Sequence, residues 1–178
     1  MAKPDFPDGE PEYTARERHR LDRALNSMND DAGYAAIQGE RPMTLGIGMH
    51  DSPVAMLAWM CDKLFLWTDE YPWTPTELVT WTLLHYFPGP TTGFVMYREQ
   101  NPLPAFVEGS YMQQYSRVPH GFSAFAQEIE MYPRSWVEKI ANVKFWREHD
   151  RGGHLAMYEK PELLVADVVE FFKSVWHV

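Results

Sequence analysis

Apolar positions recur at helical spacing through the first hundred residues and change character beyond them. Thr14-x-x-Glu17 has the spacing of a capping box. Behind it, Leu21, Ala24, Leu25 and Met28 form one helical stripe, which Asn29-Asp30-Asp31 breaks. Ala32 to Gln38 reads as a short helix closed by Gly39 just past its end. Ser52-Pro53 supplies an N-cap and an N1 proline for a helix over Val54–Trp67, with Leu57, Ala58, Cys61, Leu64 and Phe65 on one face. Thr74-Pro75-x-Glu77 opens another, which runs to Tyr86, is apolar nearly all round and is therefore expected to be buried. Pro88-Gly89-Pro90 ends it, a short helix carries Tyr97, and Asn101–Pro104 reads as a loop.

From Val118 the pattern shortens. Val118–Phe125 is a compact apolar run with small residues, suited to a buried strand. Ser135-x-x-Glu138 predicts a short capped helix, and Val143–Arg147 a second strand. Pro161–Trp176 closes the chain as a helix with Leu164, Val168 and Phe171 or Phe172 inward. Strand, helix, strand, helix implies a parallel pair with a right-handed crossover. The expected organisation is α/β: a loose Pro- and acid-rich entry over residues 1–12, a helical region over 13–105, and an α/β region over 106–178.

Charge and composition narrow the partners. A net charge of −9 and a pI near 5.2 argue against nucleic acid and anionic membranes. The apolar runs are too short for a membrane span, and the N-terminus lacks a signal-peptide layout. Cys61, the single cysteine, permits no intrachain disulfide and has no metal-ligand spacing around it. It reads as a buried small hydrophobe, compatible with a cytoplasmic, reducing compartment. Ten methionines and 15% aromatics suit a lid over an apolar cavity. They suit an aromatic-rich core equally well.

The stretch Asp150-Arg151-Gly152-Gly153-His154 carries the sharpest chemistry. A histidine on a Gly-Gly loop, after an apolar strand and before a closing helix, can be presented as a general base. Such a base serves a nucleophile on a strained turn, Gly-x-Ser-x-Gly or a variant with Asp at its centre. These 178 residues contain no such turn.

Several segments in order resemble the epoxide hydrolases of the α/β-hydrolase superfamily, in particular those related to the microsomal and fungal enzymes. They are Gly33-Tyr34-x-x-Ile37-Gln38, Arg41-Pro42-x-Thr44-Leu45-Gly46, Asp51-Ser52-Pro53-Val54 and Tyr71-Pro72-Trp73-Thr74. Gly121-x-Ser123-x-Phe125, Pro133-x-x-Trp136 and Arg151-Gly152-Gly153-His154 with Glu159-x-Pro161-Glu162 complete the match. The resemblance implies a partial α/β-hydrolase fold: a mostly helical lid, the last two parallel strands of the core and its closing helix.

It also implies a chemistry. In that family an aspartate attacks an epoxide carbon to form an alkyl-enzyme ester, two lid tyrosines protonate the opening oxygen, and a histidine oriented by an acid activates water. By this resemblance His154 matches the base, Glu128 the acid, and Tyr34 and Tyr97 the proton donors. Glu130 is a near alternative to Glu128, and a core tyrosine is the competing reading of Tyr97. His149 reads as a surface residue at a strand end. His120-Gly121 mimics the start of a His-Gly-x-Pro oxyanion loop, but Ser123 stands where proline should be. Gly46-x-Gly48 is too short a pattern for phosphate binding. No cofactor or metal is implied; the expected partners are a small hydrophobic epoxide and a complementary N-terminal half.

Two functions stay open at this point: the C-terminal portion of an epoxide hydrolase, inactive without a nucleophile, or a non-catalytic binding module retaining a lid pocket. An esterase or dehalogenase is disfavoured, because paired tyrosines suit an epoxide oxygen.

Overall fold

A computed structural model of the chain describes residues 3–100 and 114–176. The helical part comprises α1 (Ala15–Asp30), α2 (Gly33–Glu40), α3 (Pro42–Asp51), α4 (Pro53–Trp67), α5 (Pro75–Tyr86) and α6 (Pro90–Gln100). Then follow β1 (Ser116–Ala124), α7 (Arg134–Val137), β2 (Ala141–Glu148), α8 (Ala156–Glu159) and α9 (Pro161–Val175). The side chain of Met28 and the loop expected over Asn101–Pro104 lie outside the described residues.

The chain divides into two compact units. One takes the chain up to Ser27, the short stretch Trp67–Asp69 and residues 114–176; the other takes residues 28–66 and 70–100.

The first unit is built on β1 and β2, which pair in parallel, with His120 opposite Val143 and Ala124 opposite Glu148. Alternation along β1 sends neighbouring side chains to opposite faces. Phe122 joins a cluster of Ala24, Tyr132, Trp136, Val137 and Ala141 on the α1 side. Gly121 and Ser123 meet α9 instead: a Cβ on Gly121 would lie 2.8 Å from the Phe171 ring, and Ser123 Oγ donates to Asp167 at 2.6 Å. The capping box of α1 forms as the spacing predicts, with Glu17 N–H on Thr14 Oγ1 and Thr14 N–H on Glu17 Oε2. The stripe holds only in part, because Ala24 is fully buried while Leu25 is exposed. The interior of α1 also takes in Arg20, whose guanidinium pairs with Glu148 and donates to the Ala124 carbonyl.

The expected inward face of α9 is corrected too. Asp167 is its buried residue and Phe172 is exposed, whereas Leu164 and Phe171 of the expected face are half-buried and, with Val168, line a cavity. On α7, Pro133 rather than Ser135 precedes the first turn, and no side chain caps it.

The second unit packs α3 and α2 against α6, around Met49, Met56 and Phe94. The helix α3 was not legible, because Gly46 and Gly48 weaken the local preference. Gly46 is needed for packing: a Cβ there would sit 2.9 Å from the Thr91 Cα. Gly39 lies inside α2, not past its end, and faces the Tyr97 backbone. On α4 the buried positions are Met56 and Leu64, while Phe65 is exposed and Cys61 only half-buried, so the predicted stripe is rotated. The Thr74–Glu77 capping box of α5 forms in full. Within the described structure, however, α5 buries only Thr82 completely and leaves Leu84 exposed.

Candidate active site

The parallel pairing continues one step past the strands. Gln127 bridges to Gly153, and its N–H donates to the Gly152 carbonyl at 2.9 Å. Parallel strands place successive loops on one rim, and this bridge sets the loop after β1 beside the loop after β2. Gly152 adopts φ +100°, a left-handed conformation that a Cβ would strain, and a Cβ there would also lie 2.6 Å from the Phe125 ring. The sharp turn it permits aims His154 at Glu128.

His154 Nδ1 lies 2.7 Å from Glu128 Oε1. A carboxylate only accepts, so Nδ1 carries the proton and the neutral ring has its lone pair on Nε2. The same Glu128 oxygen accepts the N–H groups of Ile129 at 2.7 Å and Glu130 at 3.2 Å, which lock the carboxylate in place. Burial alone would push the Glu128 carboxyl up. The hydrogen bond from His154, its charge and the two N–H groups outweigh that and hold it below the usual carboxylate range. For His154 the Glu128 hydrogen bond is the largest influence. Burial opposes it, the charges of Glu128, Glu130 and Glu159 reinforce it, and the imidazole is raised above its ordinary value. Trp67 meets the His154 ring edge-on, with centroids 5.4 Å apart. Beside the pair is a cavity of about 290 Å³ that includes Phe125, Met157, Leu164 and Phe171 in its lining.

Glu130, the near alternative, contributes an N–H to Glu128 and is itself exposed. In the other unit, Tyr34 on α2 and Tyr97 on α6 come together with ring centroids 5.9 Å apart in an edge-on arrangement. The Lys63 ammonium sits over the Tyr34 ring at 4.9 Å. The structure thus brings the four candidates together as two pairs, each within one unit.

The reading of His149 as a surface residue is overturned. Its side chain is 9% exposed, its ring stacks on Phe125 with centroids 4.5 Å apart, and Nε2 lies 2.7 Å from Asp167 Oδ2. Asp167 also binds Ser123 and Arg147. His120 turns its Nδ1 to the Val118 carbonyl and takes no part in this rim. Sequence reasoning missed Trp67 and Asp69 and gave no role to Glu159, all of which contact the loop holding His154. The only signal in the sequence is a glutamate five residues after the histidine, and it resembles the acidic residue that commonly opens a helix.

No protein-family model matches the chain. Epoxide hydrolase 1 of Oryctolagus cuniculus is 29% identical over 175 residues, an alignment covering 89% of this chain and 38% of that protein. The solved structure of Aspergillus niger epoxide hydrolase superposes with a TM-score of 0.83 at 32% identity, over 99% of this chain and 44% of that one. The juvenile hormone epoxide hydrolase of Bombyx mori shares the fold, with a TM-score of 0.77 at 22% identity over 90% of this chain and 42% of that one. The chain spans well under half the length of these relatives. With its helices, its parallel pair and its closing helix superposing on part of such an enzyme, the chain is similar to the C-terminal portion of epoxide hydrolases of the α/β-hydrolase fold.

Proposed function

We propose that this chain is the lid and C-terminal catalytic part of an enzyme that hydrolyses a hydrophobic epoxide to a diol. One observation carries the reading: the 2.7 Å contact between His154 Nδ1 and Glu128, beside a cavity that both residues line. Tyr34 and Tyr97 hydrogen-bond the epoxide oxygen, and one of them passes it a proton as the ring opens. A phenol, with an ordinary pKa of about 10, stays protonated at neutral pH and can donate to a developing alkoxide. The carbon–oxygen bond broken on ring opening is matched by a new ester bond to a carboxylate nucleophile. His154 Nε2 then takes a proton from water, whose oxygen attacks the ester carbonyl. Collapse of that intermediate releases the diol as the proton on His154 passes to the leaving alkoxide, and the acid so formed returns its proton to the tyrosine that gave one up, which restores the carboxylate. Glu128 steadies the imidazolium formed in that step.

These 178 residues have no Gly-x-Ser-x-Gly turn and no aspartate between glycines to serve as the nucleophile. We therefore expect no turnover from them alone, and activity once a complementary N-terminal half supplies the nucleophile and an oxyanion site. That same absence favours a second reading, a non-catalytic module retaining the apolar lid.

The test is diol formation from a hydrophobic aryl epoxide. It compares the chain with a chimera in which the N-terminal part of the Aspergillus niger relative precedes it. Turnover by the chimera and none by the chain supports the enzyme reading. A folded chimera without turnover supports the second. Turnover by the chain alone would mean a nucleophile within it, with Asp51 the first residue to mutate.

A further inference from the structure

Three successive backbone N–H groups in the base loop end on acceptors from two short stretches of chain. Gly152 N–H reaches Asp69 Oδ2 at 2.8 Å, Gly153 N–H reaches Glu159 Oε1 at 3.1 Å, and His154 N–H reaches the Trp67 carbonyl at 2.8 Å. Arg151 Nε binds the same Asp69 oxygen at 2.6 Å. The second Glu159 oxygen takes the Asp69 N–H at 2.7 Å, which ties the two stretches to each other. Both carboxylates are buried: Glu159 is 8% exposed, and the Asp69 side chain 9%. Burying a carboxylate is costly unless charge-assisted bonds offset it, and here all but the Asp69–Glu159 link run to the loop. The fit is close, since a Cβ on Gly153 would lie 2.5 Å from the Trp67 carbonyl oxygen and 3.1 Å from Glu159 Oε1.

We propose that Asp69 and Glu159 are positioning residues for His154: with the Trp67 carbonyl they form an acceptor cradle that fixes the loop backbone so the imidazole meets Glu128 through Nδ1 and presents Nε2 outward. The proposal rests on the reading of His154 as the base only for its functional meaning; the cradle itself is tested without turnover. The two residues differ in what else they do. The charged groups acting on the imidazole are Glu128 and Glu130 from the turn after β1 and Glu159 from α8. Arg151 and Lys160, the cations of this corner, act on Asp69. Removing the Glu159 charge therefore loosens the loop and lowers the His154 pKa. Removing the Asp69 charge loosens the loop only.

The experiment uses the 178-residue chain and two near-isosteric variants, Glu159→Gln and Asp69→Asn. Each variant can turn a donating NH₂ toward backbone N–H groups that need an acceptor. Backbone amide exchange is read by mass spectrometry on peptides covering residues 150–155 and, separately, on those covering β2. Exchange at the imidazole C2–H of His154 against pH gives its midpoint. We expect both variants to speed exchange across Gly152–His154 by about ten-fold while β2 keeps its parent rates. The His154 midpoint falls in Glu159→Gln and stays at the parent value in Asp69→Asn. Parent-like loop exchange in both variants, or an unmoved midpoint in Glu159→Gln, overturns the proposal. So does equal acceleration in β2, which is the mark of general loosening. Should Glu159→Gln fail to fold, loop exchange in Asp69→Asn decides the matter alone.

Discussion

The described part of the first unit holds two histidine–carboxylate pairs with the same 2.7 Å contact, and we propose that only the His154 pair acts as a catalytic base. In the His149–Asp167 pair both side chains are nearly closed off, at 9% and 2% exposure. Asp167 is committed to Ser123 and Arg147 as well, and the imidazole is stacked on Phe125. Burial alone would push the Asp167 carboxyl up, but its hydrogen bonds from Ser123, His149 and Arg147 hold it low. In the His154–Glu128 pair the imidazole is 40% exposed, on a loop rim beside a cavity. The first pair ties β1, β2 and α9 together. The second leaves its imidazole partly exposed in the lining of that cavity. Contact distance does not separate the two histidines; their exposure and the cavity beside His154 do.

The largest effect expected is on rate. In the chimera with a nucleophile, His154→Gln should cut diol formation by about 10³-fold or more, measured at saturating epoxide. His149→Gln should leave that rate within a few-fold. Loss of rate in both variants with the fold intact would erase the contrast.

Stability should respond in the opposite way. Asp167→Ala leaves Arg147, His149 and Ser123 without their shared acceptor. Because Arg147 is partly exposed, the cost should be about 3 kcal/mol, near the low end for a buried pair. Glu128→Gln should cost about 1 kcal/mol or less. Chemical denaturation of the chain checks both values, and equal costs would break the comparison.

The tyrosine pair sharpens the contrast from the chemical side. Tyr34→Phe and Tyr97→Phe should each slow ester formation by about 10²-fold in single-turnover measurements, with ester hydrolysis unaffected. Full activity in both variants would remove them from the mechanism.

The smallest effect is a displacement along the pH axis. The raised His154 contributes stability that is complete below the ordinary histidine value and is lost as pH rises through its folded-state value. The lowered Glu128 contributes stability present above the ordinary carboxylate value and lost as pH falls through its own. The pair therefore stabilises the unit between those limits. Water activation needs the neutral imidazole, so ester hydrolysis should rise with pH through the raised His154 value. Glu128→Gln should move that rise to lower pH and reduce the plateau.

Local signals were the legible part of the fold. Both capping boxes, Thr14–Glu17 and Thr74–Glu77, depend on four consecutive residues and form as their spacing predicts. The two strands and the closing helix were also readable, because a change of period needs no knowledge of partners. Which face of a helix is buried was not. Helices α4 and α5 are apolar on several sides, so composition does not choose between Met56 and Phe65. Arg20 and Asp167 were invisible as interior residues because their burial is set by partners more than a hundred and some twenty residues distant, Ala124 and Arg147. In the site, Glu128 and His154 were named through motif resemblance. The supporting Asp69 was missed, and Glu159 was quoted without a role, because their partners are backbone N–H groups, which no side-chain pattern announces.

The central claim is that His154, and not His149, is the water-activating base. Intact-protein mass of the chimera after mixing with a hydrophobic aryl epoxide tests it most directly. A nucleophile paired with a disabled base should form the ester and fail to release it. The account predicts that His154→Gln accumulates an adduct heavier by the mass of the epoxide, while His149→Gln and the parent return to the unmodified mass. Adduct accumulation in His149→Gln, or full release in His154→Gln, would contradict it.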